Sequence, residues 1–309
     1  MNNYSYFFDY PIQENQLVCY WNGVNILGID KVAPVTDFKK YYQFRYPLFS
    51  NNYYSDAKIR ECNNDLLREI GRCVNVDICT LLDSDEFIFL CLTRKSVASY
   101  NERAGFQFRI NHHGCRDTFN KMKDFLMYQL MISPVILENI YNVSYQIFTD
   151  NHFTTFPINL MGIGKYSETD IPYAQLYITN NPNTTLGHIN QIVKENVIQN
   201  TLNIVKELNL DIDLCTMNAF IEFAYSRNAF LCFSGIDIHI DKIKKFKLYF
   251  RFKDILSADE VLNIFSGKIK GISKVSIPYP EDIVDFIALA FVLKEKNEFV
   301  FDGVQIYQK

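Results

Sequence analysis

FLCFSGIDIHIDKIKKFKLYFRFKD, residues 230–254, is the stretch whose reading decides the fold. Its second half alternates, with Lys247, Tyr249, Arg251 and Lys253 on one side and Leu248, Phe250 and Phe252 on the other. That is the period of a strand with one apolar face. The first half alternates too, setting Asp237 and His239 against Ile236, Ile238 and Ile240. With residues 241–245 as the turn, the halves form an antiparallel hairpin, and in-register pairing collects the polar groups on one face.

Two readings of that face are open. In one it points at water and its cations are solvated, as on most alternating strands. In the other it lines a wet cavity. Residues i, i+2 and i+4 rise only about 6.6–7 Å per pair along a strand, so three long cationic side chains can converge on one anion of diphosphate size.

Working outward, the same unit recurs. Residues 87–93 and 105–111 read as two strands, followed by a helix over 116–130 with Phe119, Met122, Phe125, Leu126 and Gln129 at helical spacing. In the second strand Gln107, Arg109 and Asn111 share a face. A short helix at 135–140 and an irregular aromatic stretch precede strands 158–165 and 173–180, where Tyr173, Gln175, Tyr177 and Thr179 alternate with apolar residues. Residues 181–208 then read as a long amphipathic helix. After the opening hairpin, Ser257-Ala-Asp-Glu260 is a capping box before a short helix to Phe265. Residues 280–285 suggest another brief helix, and 287–293 with 299–307 a last hairpin carrying Gln305 and Tyr307.

The N-terminal repeat, about residues 1–80, is poorly defined. Residues 17–20 and 24–29 suggest a hairpin, a helix-like run begins at Thr36-Asp37, and 55–73 fits a helix capped by Ser55-Asp56. No linker rich in Pro, Gly or Ser interrupts the series, so a single domain over 1–309 is expected. Antiparallel pairs separated by helices exclude a doubly wound parallel sheet. The expected fold class is α+β: an antiparallel sheet covered by helices on one face or, if ten such strands close on themselves, an antiparallel ten-stranded β-barrel of repeated hairpins surrounded by α-helices. Closure turns the apolar faces outward under the helices and the polar and aromatic faces into a lumen.

A net charge of -4 argues against a general nucleic-acid binder, whose phosphate contacts need a basic excess. The longest apolar runs fall well short of the roughly 20 residues that span a bilayer, so no membrane association is expected. MNNYSYFFDY lacks a charged leader followed by an apolar core, which makes a cytoplasmic protein the expectation. Eight cysteines without CxxC pairs give neither a zinc site nor a disulfide framework. His112 and His113 are adjacent and point opposite ways on a strand, while His152 and His188 read as loop and helix-surface residues. No metal site follows. Phosphate-loop, dinucleotide-binding, zincin and serine-hydrolase motifs are absent, as is an aspartate-rich DDxxD.

The hairpin GIDIHIDKIKKFKLYFRFKD, the hairpin INLMGIGKYSETDIPYAQLYITN and the closing IALAFVLKEKNEFVFDGVQIY resemble the ABBA, or PT-barrel, aromatic prenyltransferases. Lys-x-Tyr-x-Arg-x-Lys is similar to the basic strand of the cyanobactin peptide prenyltransferase branch. The resemblance covers about residues 87–307. It implies an enzyme that moves a dimethylallyl or geranyl group from its diphosphate to an aromatic acceptor, either a small molecule or a Tyr- or Trp-type side chain of a peptide. Natural-product biosynthesis and a monomeric state come with that implication.

On the same resemblance, Lys247, Arg251 and Lys253 grip the leaving diphosphate with Lys165 and Arg109, and Tyr177, Tyr249 and Tyr307 shield the prenyl cation. Gln107, Gln175 and His239 complete a polar lumen. Asp237 and Glu222 are candidates to take the acceptor's proton, although Asp237 is equally suited to a salt bridge with Lys247 and Glu222 to a helix surface. Magnesium-dependent members carry a carboxylate where Gln107 and Arg109 stand here, so no cofactor is required and magnesium is expected to be dispensable. Two rivals stay open: a non-catalytic barrel binding an anionic amphiphile, and a protein-interaction domain with its basic strands in water.

Overall fold

A computed structural model describes residues 23–25, 42–45, 76–77, 81, 87–96, 102–110, 115–153, 156–165, 171–180, 194–266, 268, 283–294 and 298–308. The four expected hairpins are present. They are β3 (Phe87–Ser96) with β4 (Glu102–Ile110), β5 (Ile158–Lys165) with β6 (Tyr173–Thr179), β8 (Ala229–His239) with β9 (Lys242–Phe252), and β10 (Val284–Leu293) with β11 (Glu298–Gln308). Antiparallel pairing also joins each hairpin to the next, through β4·β5, β6·β8 and β9·β10.

Three short strands extend this ladder. β1 (Gly23–Asn25) runs parallel to β2 (Tyr42–Arg45), which pairs with β3, and β7 (Asp211–Ile212) runs parallel to β11. The order is β1-β2-β3-β4-β5-β6-β8-β9-β10-β11-β7. Two expectations change. Residues 42–45 lie in a strand, not in a helix-like run, and their alternation of Tyr42 and Phe44 with Gln43 and Arg45 has the matching period. The described residues form one ladder with β1 and β7 at its edges, rather than the expected closed ten-stranded barrel.

Five helices are described. α1 (Cys115–Leu130) buries Phe119, Met122 and Leu126, an i, i+3, i+7 stripe. α2 (Pro134–Asp150) starts on a proline, whose missing N–H is no loss in a first turn, and runs ten residues beyond the expected end at 140. Leu137, Ile140, Tyr141, Ser144 and Ile147 keep the helical period through a segment whose aromatic and β-branched content reads as irregular. α3 (Lys194–Glu207) is the described part of the helix expected over 181–208.

α4 (Leu214–Ser226) is the helix on whose surface Glu222 was alternatively expected, although no bounds were expected for it. Its start is nonetheless written in the chain, because the Asp213 carboxylate accepts from the backbone amides of Cys215 and Thr216 at 3.0 and 3.3 Å. Bonds from the Thr216 hydroxyl and these amides hold Asp213 below the usual carboxylate range. α5 (Ala258–Phe265) has the expected capping box, with both the Ser257 and the Glu260 side chains engaged. The brief helix expected at 280–285 is replaced at its end by strand: Ile283 bridges Ser257 and β10 begins at Val284. Residues 17–20 and the helix at 55–73 lie outside the described residues.

The helices cover one face of the sheet. Leu176, Ile236, Ile238, Leu248, Phe250 and Leu289 pack there with Phe119, Leu137, Ile204, Phe220 and Phe265 in the main core. The opposite face has its own apolar cluster of Tyr177, Tyr249 and Ala288, flanked by Leu160, Phe233 and Phe286. Asp237, Lys247 and Tyr249 are buried on that face, which removes the reading in which the polar face of 230–254 points wholly at water. Among the described residues no helix is long and apolar enough to cross a membrane.

Candidate functional site

Backbone register assembles the polar face row by row. Arg109, Leu160, Tyr177, Gly235, Lys247, Ala290 and Gly303 stand in one row across seven strands. Gln107, Gly162, Gln175, Asp237, Lys245 and Val292 form the next. On the other side run Thr179, Phe233, Tyr249, Ala288 and Gln305. The β8–β9 connection is tighter than the expected 241–245 turn, being only Ile240 and Asp241. Two irregularities keep the rows aligned: Cys232 is the extra residue on β8 and Lys244 the extra residue on β9.

Lys247 and Asp237 are each only 1% exposed. Removing either charge from water is costly, and here each supplies the other's counter-ion, with Nζ 3.8 Å from Oδ2. The Gln175 amide donates to Asp237 Oδ1 at 2.7 Å, and the Tyr177 hydroxyl donates to Gln175 Oε1 at 3.3 Å. Tyr177 and Tyr249 lean together, their ring centroids 5.5 Å apart. Gly235 lies under them, opposite Lys247, and a Cβ there would meet the Tyr249 ring at 2.8 Å. A side chain at 235 would occupy the space that the two rings share.

Farther along β9, Arg251 is half-buried with its guanidinium 4.9 Å above the Phe286 ring, and Phe286 in turn meets Phe233 edge-on at 5.9 Å. At the other end His239 is half-buried and stacks on Tyr173 at 5.2 Å, with the planes 12° apart. The hydroxyl of Tyr173 lies 2.5 Å from where a Gly164 Cβ would stand, so this stack also needs a glycine beneath it.

The remaining expected residues divide. By backbone alone, Arg109 shares the Lys247 row, Gln107 shares the Asp237 row, Lys165 pairs with Ala104 at the end of β5, and Tyr307 pairs with Phe286. Lys253 does not join the group. It follows the last residue of β9, is exposed, and spends its backbone amide on Asn228 O at 2.8 Å. Glu222 does not join it either. It sits on α4, on the helix-covered side where Phe220 meets Phe250 at 5.5 Å, and forms an ion pair with Lys194 of α3. Burial pushes the neighbouring Tyr225 phenol far above its ordinary range.

The sequence reading missed Gly235, Phe233 and Phe286. The glycine had a signal, because it occupies a polar-face position of an otherwise alternating strand. His152 is exposed in the turn after α2, as expected, whereas His112, His113 and His188 lie outside the described residues. Among the described residues no three His, Cys, Asp or Glu side chains converge on a common point.

No family model matches the sequence, and no curated protein does. Among solved structures the chain is similar to 6-dimethylallyltryptophan synthase from Micromonospora olivasterospora in complex with DMASPP and Trp, at 10% identity over 70% of this chain and 61% of that one, with a TM-score of 0.44. It thus spans about three fifths of that enzyme's length. A 6-dimethylallyl tryptophan synthase is similar at 10% identity over 79% and 75% of the two chains, with a TM-score of 0.48. The 5-dimethylallyltryptophan synthase from Streptomyces coelicolor is similar at 10% identity over 78% and 75%, with a TM-score of 0.41. These synthases are ABBA-type aromatic prenyltransferases.

Proposed function

We propose that the chain is an aromatic prenyltransferase. The observation that carries this reading is the buried Lys247 beside the paired rings of Tyr177 and Tyr249. Ionising an allylic diphosphate separates two charges at one place. The C–O bond breaks, its electron pair leaves with the diphosphate, and a delocalised carbocation remains. A preorganised ammonium suits the first product and phenol faces suit the second. Arg251, half-buried on the same strand, is the second cation for the diphosphate, and its position over Phe286 keeps it at the aromatic edge of the site.

The acceptor's aromatic carbon then attacks the cation, the new bond forms, and the proton displaced from the ring passes to Asp237. Asp237 begins as the partner of Lys247, so arrival of the diphosphate draws the ammonium toward the phosphate oxygens and frees carboxylate basicity for the last step. Donors of dimethylallyl or geranyl size, and acceptors that are small aromatics or Tyr- or Trp-type side chains of a peptide, belong to this reading. So do a cytoplasmic monomer and a role in natural-product biosynthesis. Arg109 shares the Lys247 row, which supports transfer in which side-chain charge replaces magnesium.

Calorimetry with dimethylallyl and geranyl thiolodiphosphates, with and without chelator, tests the donor half. Micromolar binding that survives chelation and weakens in Arg251→Ala is expected, followed by prenylated product from tryptophan, tyrosine or a peptide carrying them. Absence of binding to both analogues overturns the proposal. Binding without any turnover would favour a barrel that only holds an anionic amphiphile.

A further inference from the structure

A carboxylate accepts hydrogen bonds and cannot donate them, so the Gln175 amide must turn its nitrogen toward Asp237, at 2.7 Å from Oδ1. Its oxygen then faces Tyr177 and can only accept, which obliges the Tyr177 hydroxyl to be the donor across 3.3 Å. Gln175 and Tyr177 are both 7% exposed and Asp237 1%, so water does not compete freely for these bonds. One neutral amide thereby sets the polarity of both its neighbours.

We infer that Gln175 is a positioning residue that fixes Asp237 as a proton acceptor and Tyr177 as a proton donor. Its catalytic consequence rests on the prenyl-transfer reading. Oδ1 is committed to the amide, which leaves Oδ2, on the Lys247 side, as the oxygen that receives the acceptor's proton. A phenol that donates gains electron density on its oxygen and ring, so the Tyr177 face attracts a carbocation more strongly. The charged and titratable groups around this amide are Asp237 and His239 on β8, Lys245, Lys247 and Tyr249 on β9, and Tyr173 and Tyr177 on its own strand, while β5 brings Gly162 to its register position.

Gln175→Glu separates this role from mere packing. Protonated, the introduced carboxyl donates to Asp237 and accepts from Tyr177, reproducing the amide. Ionised, it sets a second carboxylate against Asp237, which raises its folded-state pKa above the unfolded value, so the stability it contributes is present at low pH and lost as pH rises. Turnover of this variant is expected near wild type at acidic pH and about tenfold or more below it at alkaline pH, one pKa unit being worth a factor of ten. Its melting temperature is expected to drop away from wild type over the same range. Gln175→Leu is expected to lower kcat at every pH while leaving KM for the prenyl diphosphate within about threefold, since it touches proton and ring positions rather than the diphosphate cations.

A loss of activity in Gln175→Glu that is the same at every pH, or a melting offset that does not change with pH, overturns the inference. Should the wild-type protein transfer no prenyl group at all, the functional reading fails, and the melting series still decides whether Gln175 holds Asp237 and Tyr177 in this way.

Discussion

Gly235 lies against Tyr249, with ring carbon Cε2 2.8 Å from the place a Cβ would take. Real Cβ atoms do not tolerate that distance, and Tyr249 has little freedom to retreat because the Tyr177 ring leans on it at 5.5 Å. Gly235→Ala is therefore expected to destabilise the fold by about 1–3 kcal/mol, the range for an overpacked core. In a Tyr249→Ala background most of that penalty should vanish. Urea denaturation of the four proteins measures the coupling, and equal penalties in both backgrounds would show that the ring is not what the new methyl strikes.

Lys247 and Asp237 pose a sharper energetic problem, because breaking a buried pair leaves one charge without its partner. Lys247→Met and Asp237→Leu are each expected to cost about 3–5 kcal/mol, whereas the double variant should cost less than either alone. Additive losses in a double-mutant cycle would mean that the two groups, 3.8 Å apart, do not interact energetically.

The sequence made the hairpins legible because period-two alternation survives burial of both faces when one face is polar and aromatic. Lys247, Asp237, Gln175, Tyr177 and Tyr249 were reached in that way, and the register then brought them together. Lys253 continues the same alternation but falls one residue past the end of β9, where the chain leaves the sheet. Alternation alone carries no signal for that stop. Glu222 sits on α4, a helix announced only by the Asp213 cap and a buried stripe from Met217 to Ala224. The tight Ile240-Asp241 connection was illegible for a different reason. Ile240 adopts φ 44°, a conformation disfavoured for a β-branched residue, and its carbonyl accepts from Ser133 N at 2.6 Å, so a tertiary contact holds what local preference resists.

Glu138 on α2 ties down α1 from outside the site. Its carboxylate accepts from Lys123 at 2.6 Å and from Arg116 at 2.9 Å, and these partners, Lys123 foremost, hold it below its ordinary 4.5. A depressed carboxyl contributes stability that is present above its unfolded value and lost as pH falls through its folded one. Glu138→Gln is accordingly expected to cost about 0.5–1 kcal/mol near pH 7, as for exposed or half-exposed pairs. The difference from wild type should shrink below pH 4.5 and at high salt. Thermal melts across that range check it, and a difference that persists in acid would remove the ion pairs as its cause.

Arg251 and Lys253 offer a test of the site's boundary, since they are two residues apart on one chain yet differ in surroundings. Arg251 is half-buried over Phe286, whereas Lys253 is exposed beyond the strand. A charge-assisted bond to phosphate is worth about 1.5–3 kcal/mol, or roughly 10–100-fold in Kd. Arg251→Ala is expected to weaken binding of a prenyl thiolodiphosphate by about that factor. Lys253→Ala, which removes a charge already screened by water and salt, should weaken it by less than about threefold. Isothermal titration of both variants at two salt concentrations distinguishes them. Equal losses that disappear together at high salt would mean that the diphosphate is attracted by the general field of the strand end, and that the site stops short of Arg251.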